Sequence, residues 1–183
     1  MALRFDERKT TQLVARLIEH GGGQLNVLKL VKLVYLTDRR ALVEGGRPIT
    51  FDRFVSMPHG PVNSATLNLL NDEPDPNGKS YWHSYISERS GYDVRLLKAP
   101  GVGALSAFEL SIVDEVFAEF GHMDRFALRD VTHDLPEWSD PHGSSTPIHV
   151  HEILESDGYS EDEAREIEHA LEHESFVLAE LGA

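Results

Sequence analysis

The stretch from Asn26 to Glu44, Asn-Val-Leu-Lys-Leu-Val-Lys-Leu-Val-Tyr-Leu-Thr-Asp-Arg-Arg-Ala-Leu-Val-Glu, constrains the fold of this chain more than any other. It runs without Gly or Pro far beyond the roughly five or six residues of an average strand, which excludes a strand. Its Leu, Lys, Ala, Arg and Glu content favours a helix, Asn26 is placed to cap the start, and Gly45-Gly46 supplies the stop. Between positions 27 and 36 nearly every side chain is apolar, so the helix must be covered on most sides and the remaining segments must pack around it. Its few polar groups are ordered: Lys29, Lys32, Leu36 and Arg40 follow three- and four-residue spacing along one stripe, with Asp38 elsewhere on the barrel. The stripe reads either as a solvated edge or as a basic strip that receives a partner.

Around this helix the chain punctuates itself. Phe5 to His20 reads as an amphipathic helix with Asp6 as its cap, closed by Gly21-Gly22-Gly23. Residues 51–57 read as a short strand, followed by Pro58-His59-Gly60-Pro61, with Pro61 expected at the first position of a third helix that continues to about Asn71. Residues 71–78 read as a loop, and 81–87 with 92–97 as a β-hairpin that joins the 51–57 strand in a small antiparallel sheet. Ser106 and Glu109 form a capping box ahead of a helix that stops at Gly121, and Asp124 to about His133 makes another. A second capping box, Ser160 with Glu163, opens a final helix with a narrow apolar seam, expected on the surface. The fold class expected is α+β, predominantly α-helical: a central buried helix with surrounding helices and a small antiparallel β-sheet. The division expected is a core over residues 1–145 and an acidic C-terminal helical extension of the same domain over 146–183, so that a chain cut after Gly143 keeps a folded core.

Charge is uneven. Seventeen Lys and Arg stand against 31 Asp and Glu, a formal −14, which disfavours nucleic acid and anionic lipid as partners of the whole chain. Residues 1–48 nevertheless hold nine basic and five acidic groups, whereas 150–183 hold one basic and eleven acidic. Each end is suited to a partner of opposite sign, or to the other. The chain has no cysteine, which removes disulfides, thiolate zinc sites and cysteine nucleophiles. With a charged start and no apolar run near the roughly 20 residues of a membrane span, the expected location is the cytoplasm.

No catalytic pattern emerges. Gly101-Val102-Gly103 lacks the third glycine of a dinucleotide site, and no Gly-x-Ser-x-Gly elbow is present. Ten histidines raise the question of a metal, with His149-Val150-His151 and the His169/His173 pair the best candidates. Neither spacing supplies a third ligand, so no metal or other cofactor is expected. The helix at 26–44 is too apolar to enter a nucleic-acid groove.

Several words of the sequence, taken in order, resemble the Panacea domain, the SocA-like antitoxin family of bacterial and phage toxin–antitoxin systems. They are Lys29-Leu30-Val31-Lys32-Leu33-Val34-Tyr35-Leu36-Thr37-Asp38, Gly46-Arg47-Pro48-Ile49-Thr50, Phe54-Val55-Ser56-Met57-Pro58-His59-Gly60-Pro61-Val62, then Leu105-Ser106, Thr132-His133 and Trp138. They cover residues 8–140. Val31 stands where a polar residue is common in the family, and the acidic segment after 145 is outside the shared part. The resemblance implies a non-enzymatic domain that neutralises a toxin encoded beside it by direct contact, or as an adaptor that hands the toxin to a cytosolic AAA+ protease, as in another member. The residues it brings forward for partner binding are Lys29, Lys32, Tyr35, Asp38, Arg40 and His59, to which the acidic segment adds Glu163, Glu166 and Glu174; Arg47, Pro48, Gly60, Pro61, His133 and Trp138 are its structural motif. A bland reading stands beside it, in which Lys32, Tyr35 and Asp38 form a satisfied polar cluster around Pro58–Pro61, and His133 packs on Trp138. The competing function class is a hydrolase or metal-dependent enzyme using His59 and His133.

Overall fold

The computed structural model describes residues 4–72 and 80–180. Its centre is α2 (Val27–Gly45), preceded by α1 (Glu7–His20) and a short strand β1 (Gln24–Asn26). Both helices start as their sequences require: the Asp6 side chain accepts the Lys9 N–H and the Asn26 side chain accepts the Leu28 N–H. Gly46, at φ 69°, turns the chain out of α2 and donates its N–H to Leu42 O. The apolar sweep of α2 is covered on nearly all sides, with Leu30, Leu33, Val34 and Tyr35 fully buried.

After α2 come β2 (Phe54–Met57), β3 (Gly60–Asn63) and α3 (Ser64–Leu70), then a 3-10 turn (Trp82–Ser84), β4 (Asp93–Arg95), α4 (Ala107–Phe120) and α5 (Arg125–His133). The chain closes with β5 (Thr146–Ile148), α6 (Val150–Ser156) and α7 (Glu161–Glu180). The result is an α+β domain dominated by helices, with small antiparallel sheets. No helix of the described residues is long and apolar enough to cross a membrane.

Three sequence expectations change. Pro61 does not begin a helix: it lies in β3, an edge strand of the order β3-β2-β5, where a residue without an N–H is tolerated, and α3 begins at Ser64. The proposed 81–87/92–97 hairpin is reduced to isolated bridges, Ile86 to Leu96 and Ser90 to Asp93. Trp82 is drawn into the core instead, its backbone N–H bonded to Glu7 Oε1 at 2.8 Å, and β4 pairs with β1 rather than with the 51–57 strand. The loop expected at 71–78 falls mostly outside the described residues.

The segment after residue 145 packs into the body of the domain. Ile148 of β5 pairs with Phe54 of β2, and Val150, Ile153, Leu154, Ala164 and Leu171 join Tyr35, Leu42, Phe51 and Phe54 in a second apolar cluster on the far side of α2. The last helix is therefore half structural: its seam is buried, and its outer face carries the acidic groups. The two ends of opposite charge also meet, through Arg47 to Glu174 and Arg39 to Asp157.

Candidate functional site

Asp38 organises the deepest polar cluster. Fully buried, its carboxylate accepts from Ile49 N–H at 2.7 Å, Thr50 N–H at 3.0 Å, the Thr50 hydroxyl and Asn63 Nδ2 at 2.6 Å. Burial pushes its pKa up to about 6, against the pull of the bonds from Thr50 and Ile49. This explains why Pro48-Ile49-Thr50 follows α2: the segment delivers two consecutive N–H donors to a carboxylate that would otherwise be buried bare. Asp52 does the same for α3, accepting from Ala65 N–H and Thr66 N–H, each at 2.8 Å, where the N-cap Asn63 makes no side-chain cap bond.

Lys32 occupies a second cluster under the β2–β3 turn. Its amine nitrogen is buried and donates to Pro61 O at 2.8 Å, and desolvation lowers its pKa to about 7. Gly60 sits directly over it at φ +95°; a Cβ there would lie 2.7 Å from Thr132 Oγ1 and 2.8 Å from Lys32 Nζ. His133 completes the cluster, stacked on Trp138 with ring centroids 4.1 Å apart, and Trp138 Nε1 donates to Met57 O at 3.0 Å. His133 Nε2 is buried without a hydrogen-bond partner among the described residues, and its pKa is lowered by burial first and by the Lys32 charge second. Tyr35 forms the third cluster with Glu137, its hydroxyl donating at 2.8 Å, while Arg39 Nε binds the same carboxylate at 2.7 Å. Burial pushes Glu137 up, but the Arg39 guanidinium and the Tyr35 hydroxyl bring it below its ordinary value.

The residues expected to bind a partner therefore divide. Lys32, Tyr35 and Asp38 are buried and joined to the fold. The stripe of Lys29, Lys32, Leu36 and Arg40 is not a solvated edge: Lys32 and Leu36 are buried, Lys29 Nζ donates to Gly121 O at 2.5 Å, and Arg40 pairs with Glu119. Glu174 pairs with Arg47 at 2.5 Å, Glu163 closes the capping box with Ser160, and Glu166 is exposed. His59 is exposed at the tip of the β2–β3 turn, near enough to His133 to help lower its pKa. Arg47 also lies over the Phe51 ring, 4.9 Å from its centroid, and Pro48 is buried.

His59 opens onto a groove that sequence spacing did not reveal. Val27, Leu28, Val31 and Leu67 supply apolar lining, Tyr92 and Phe126 stand at its sides, and Arg89 and Arg125 edge a volume of about 390 Å³. Tyr92 is 70% exposed and Phe126 50%, which is unusual for aromatic side chains of a folded domain. Arg89 lies over Tyr92, and Arg125 and Arg129 lie over Phe126. Tyr92 and Phe126 come from loops and helices far apart in sequence, so only the fold places them together. A further grouping joins residues that the sequence kept apart: Glu168 of α7 meets His149 and His151 at the start of α6.

These features define a helix-centred domain whose internal polar residues hold a turn, an edge strand and a helix start in place, and which presents an apolar, arginine-edged groove. Residues 30–139 match the family described as antitoxin SocA-like, Panacea domain, and the chain belongs to that family. No curated protein and no solved structure matches the chain.

Proposed function

We propose that this protein is an antitoxin that neutralises a cognate protein toxin, the product of an adjacent gene, by direct protein–protein contact, and that it is not an enzyme. Membership of an antitoxin-like family over residues 30–139 carries this reading. The groove beside His59 is the proposed contact face. Exposed aromatic rings flanked by arginines are the composition of interface hot spots, and an arginine edge on a chain of net charge −14 favours a toxin segment that is apolar at its centre and acidic at its margins. The buried positions Lys32, Tyr35 and Asp38 act by holding this face in shape. The outer face of α7, with Glu163 and Glu166, is a second, electrostatic region for a basic part of the same toxin.

The test is co-expression with the adjacent gene product, scored by growth rescue and co-purification. Tyr92→Ala with Phe126→Ala should abolish both while leaving the melting temperature near that of the parent, because both rings are largely exposed. Glu166→Lys should slow association and weaken its salt dependence without unfolding the chain. Rescue that survives the aromatic double variant removes the groove from the contact face. Rescue that disappears in a host lacking its AAA+ protease assigns delivery for degradation in place of simple blocking.

A further inference from the structure

The spacing of His149 and His151 supplies no third metal ligand; the tertiary structure brings one, Glu168. His151 Nδ1 lies 2.7 Å from Glu168 Oε2, and His149 Nδ1 lies 4.0 Å from Glu168 Oε1. One ligand atom from each residue falls within 4.8 Å of the other two. The imidazole rings are stacked with centroids 5.3 Å apart and an interplanar angle of 19°. For ligands about 2.0–2.1 Å from a tetrahedral zinc, neighbouring donor atoms stand about 3.3 Å apart. The two observed separations, one to each oxygen of Glu168, bracket that value, and the 4.8 Å limit on the three ligand atoms leaves closure on an ion to rotation of the exposed His149 side chain.

We propose that His149, His151 and Glu168 form a site for a divalent transition-metal ion of the zinc class, joining the start of α6 to the middle of α7. Two imidazoles and one carboxylate leave the fourth position open. A cavity of about 210 Å³ beside the site, lined by Arg53, His149, Glu168 and Glu172 among others, gives an ion access. Glu168 Oε1 also accepts the Val150 N–H at 2.9 Å, so the carboxylate is held in position before any ion arrives. His149 is the movable ligand, with its side chain 61% exposed. Binding displaces the proton shared between His151 and Glu168 and replaces a hydrogen bond by coordination, which fastens α7 to the β5–α6 corner. The site is independent of the groove proposed for the toxin and stands or falls without it.

Titration of EDTA-treated, dialysed full-length protein with Co²⁺, followed by its visible absorption and by competition with Zn²⁺, tests this together with thermal melts. One ion per chain is expected, with a melting temperature that rises with metal concentration. His149→Ala should remove binding while lowering the apo melting temperature only slightly, since the side chain is 61% exposed and sits at the N-cap of the short α6. Glu168→Gln keeps an acceptor for Val150 N–H but loses the anionic ligand, and should weaken binding at least tenfold. His169→Ala with His173→Ala, on the exposed face of α7, should change nothing. Absence of binding at 100 μM metal, several weak equivalents per chain, or one-to-one binding lost only in the His169/His173 variant would each overturn the assignment.

Discussion

Replacing Lys32 with Met should change how stability depends on pH more than it changes stability at any one pH. Buried against Pro61 O, the Lys32 amine has its pKa lowered from 10.5 to about 7 by loss of water. Between those two values the unfolded chain carries a proton on this amine and the folded chain does not. By linkage, stability then falls as pH is lowered through that window, and the loss is complete below pH 7. At about 1.4 kcal/mol per pH unit, less the rounding near the lower end, going from pH 9 to pH 7 costs the wild-type chain about 2 kcal/mol through this group. Asp38 does not obscure the effect. Its pKa of about 6 is raised from 3.8, so the folded state binds the extra proton between those values and the change is nearly silent above pH 7. His133, the nearest titratable neighbour, has its pKa lowered from 6.5, so it too titrates mainly below the window. Met keeps the apolar stem but leaves Pro61 O without its donor, which costs about 1–3 kcal/mol at every pH. Wild type has already lost about 2 kcal/mol between pH 10.5 and pH 9, so Lys32→Met should lie within about 1 kcal/mol of wild type at pH 9 and gain about 2 kcal/mol on it by pH 7. Urea unfolding followed by tryptophan fluorescence, in EDTA and at constant ionic strength, measures this if the m-values agree. A gap that stays constant from pH 9 to pH 7 would refute the buried, neutral lysine.

Gly60→Ala should cost about 3 kcal/mol, combining a left-handed backbone with a Cβ pressed on Thr132 and Lys32. Gly158→Ala, at φ +99° with nothing within 4 Å, should cost only the backbone part, about 1 kcal/mol, and equal thermal shifts for the two would show that Gly60 has room above it. Cutting the chain after Gly143 removes β5, α6 and α7 and strips the cover from Tyr35, Leu42 and Phe54, so cooperative urea unfolding should be lost; a sharp transition in the shortened chain would show that the second cluster is dispensable.

Local rules carried a long way along this chain. The span and caps of α2, the Asp6 cap of α1, the Ser106–Glu109 box of α4 and the Ser160–Glu163 box of α7 were all legible, because each rests on residues within one or two turns. The stacked His133–Trp138 pair was legible too, although only as a consequence of family words lying in order. Where the reading failed, a distant residue outweighed a local one. Pro61 is a good helix starter by itself, but pairing of β2 with β3 and the bond from Lys32 hold it extended. The 81–87 segment has the composition of a strand, yet the large apolar surface of Trp82 goes into the core and Glu7 takes its N–H.

What the sequence by itself determined is the central helix, the helical character of the domain and the family words, since an apolar run of that length has to be buried and its caps act over a few residues. Tertiary structure alone decided which of the polar residues face inward. Lys29, Lys32 and Arg40 share one stripe by periodicity, but periodicity says nothing of the turn that roofs Lys32 or of Gly121 and Glu119, which take up its neighbours. It also decided the assembly of the groove from Val27, Leu28, Val31, His59, Leu67, Arg89, Tyr92, Arg125 and Phe126, and the meeting of Glu168 with His149 and His151. Such contacts join residues far apart in sequence, and they form only when burial of the two apolar clusters against α2 fixes where each segment lies.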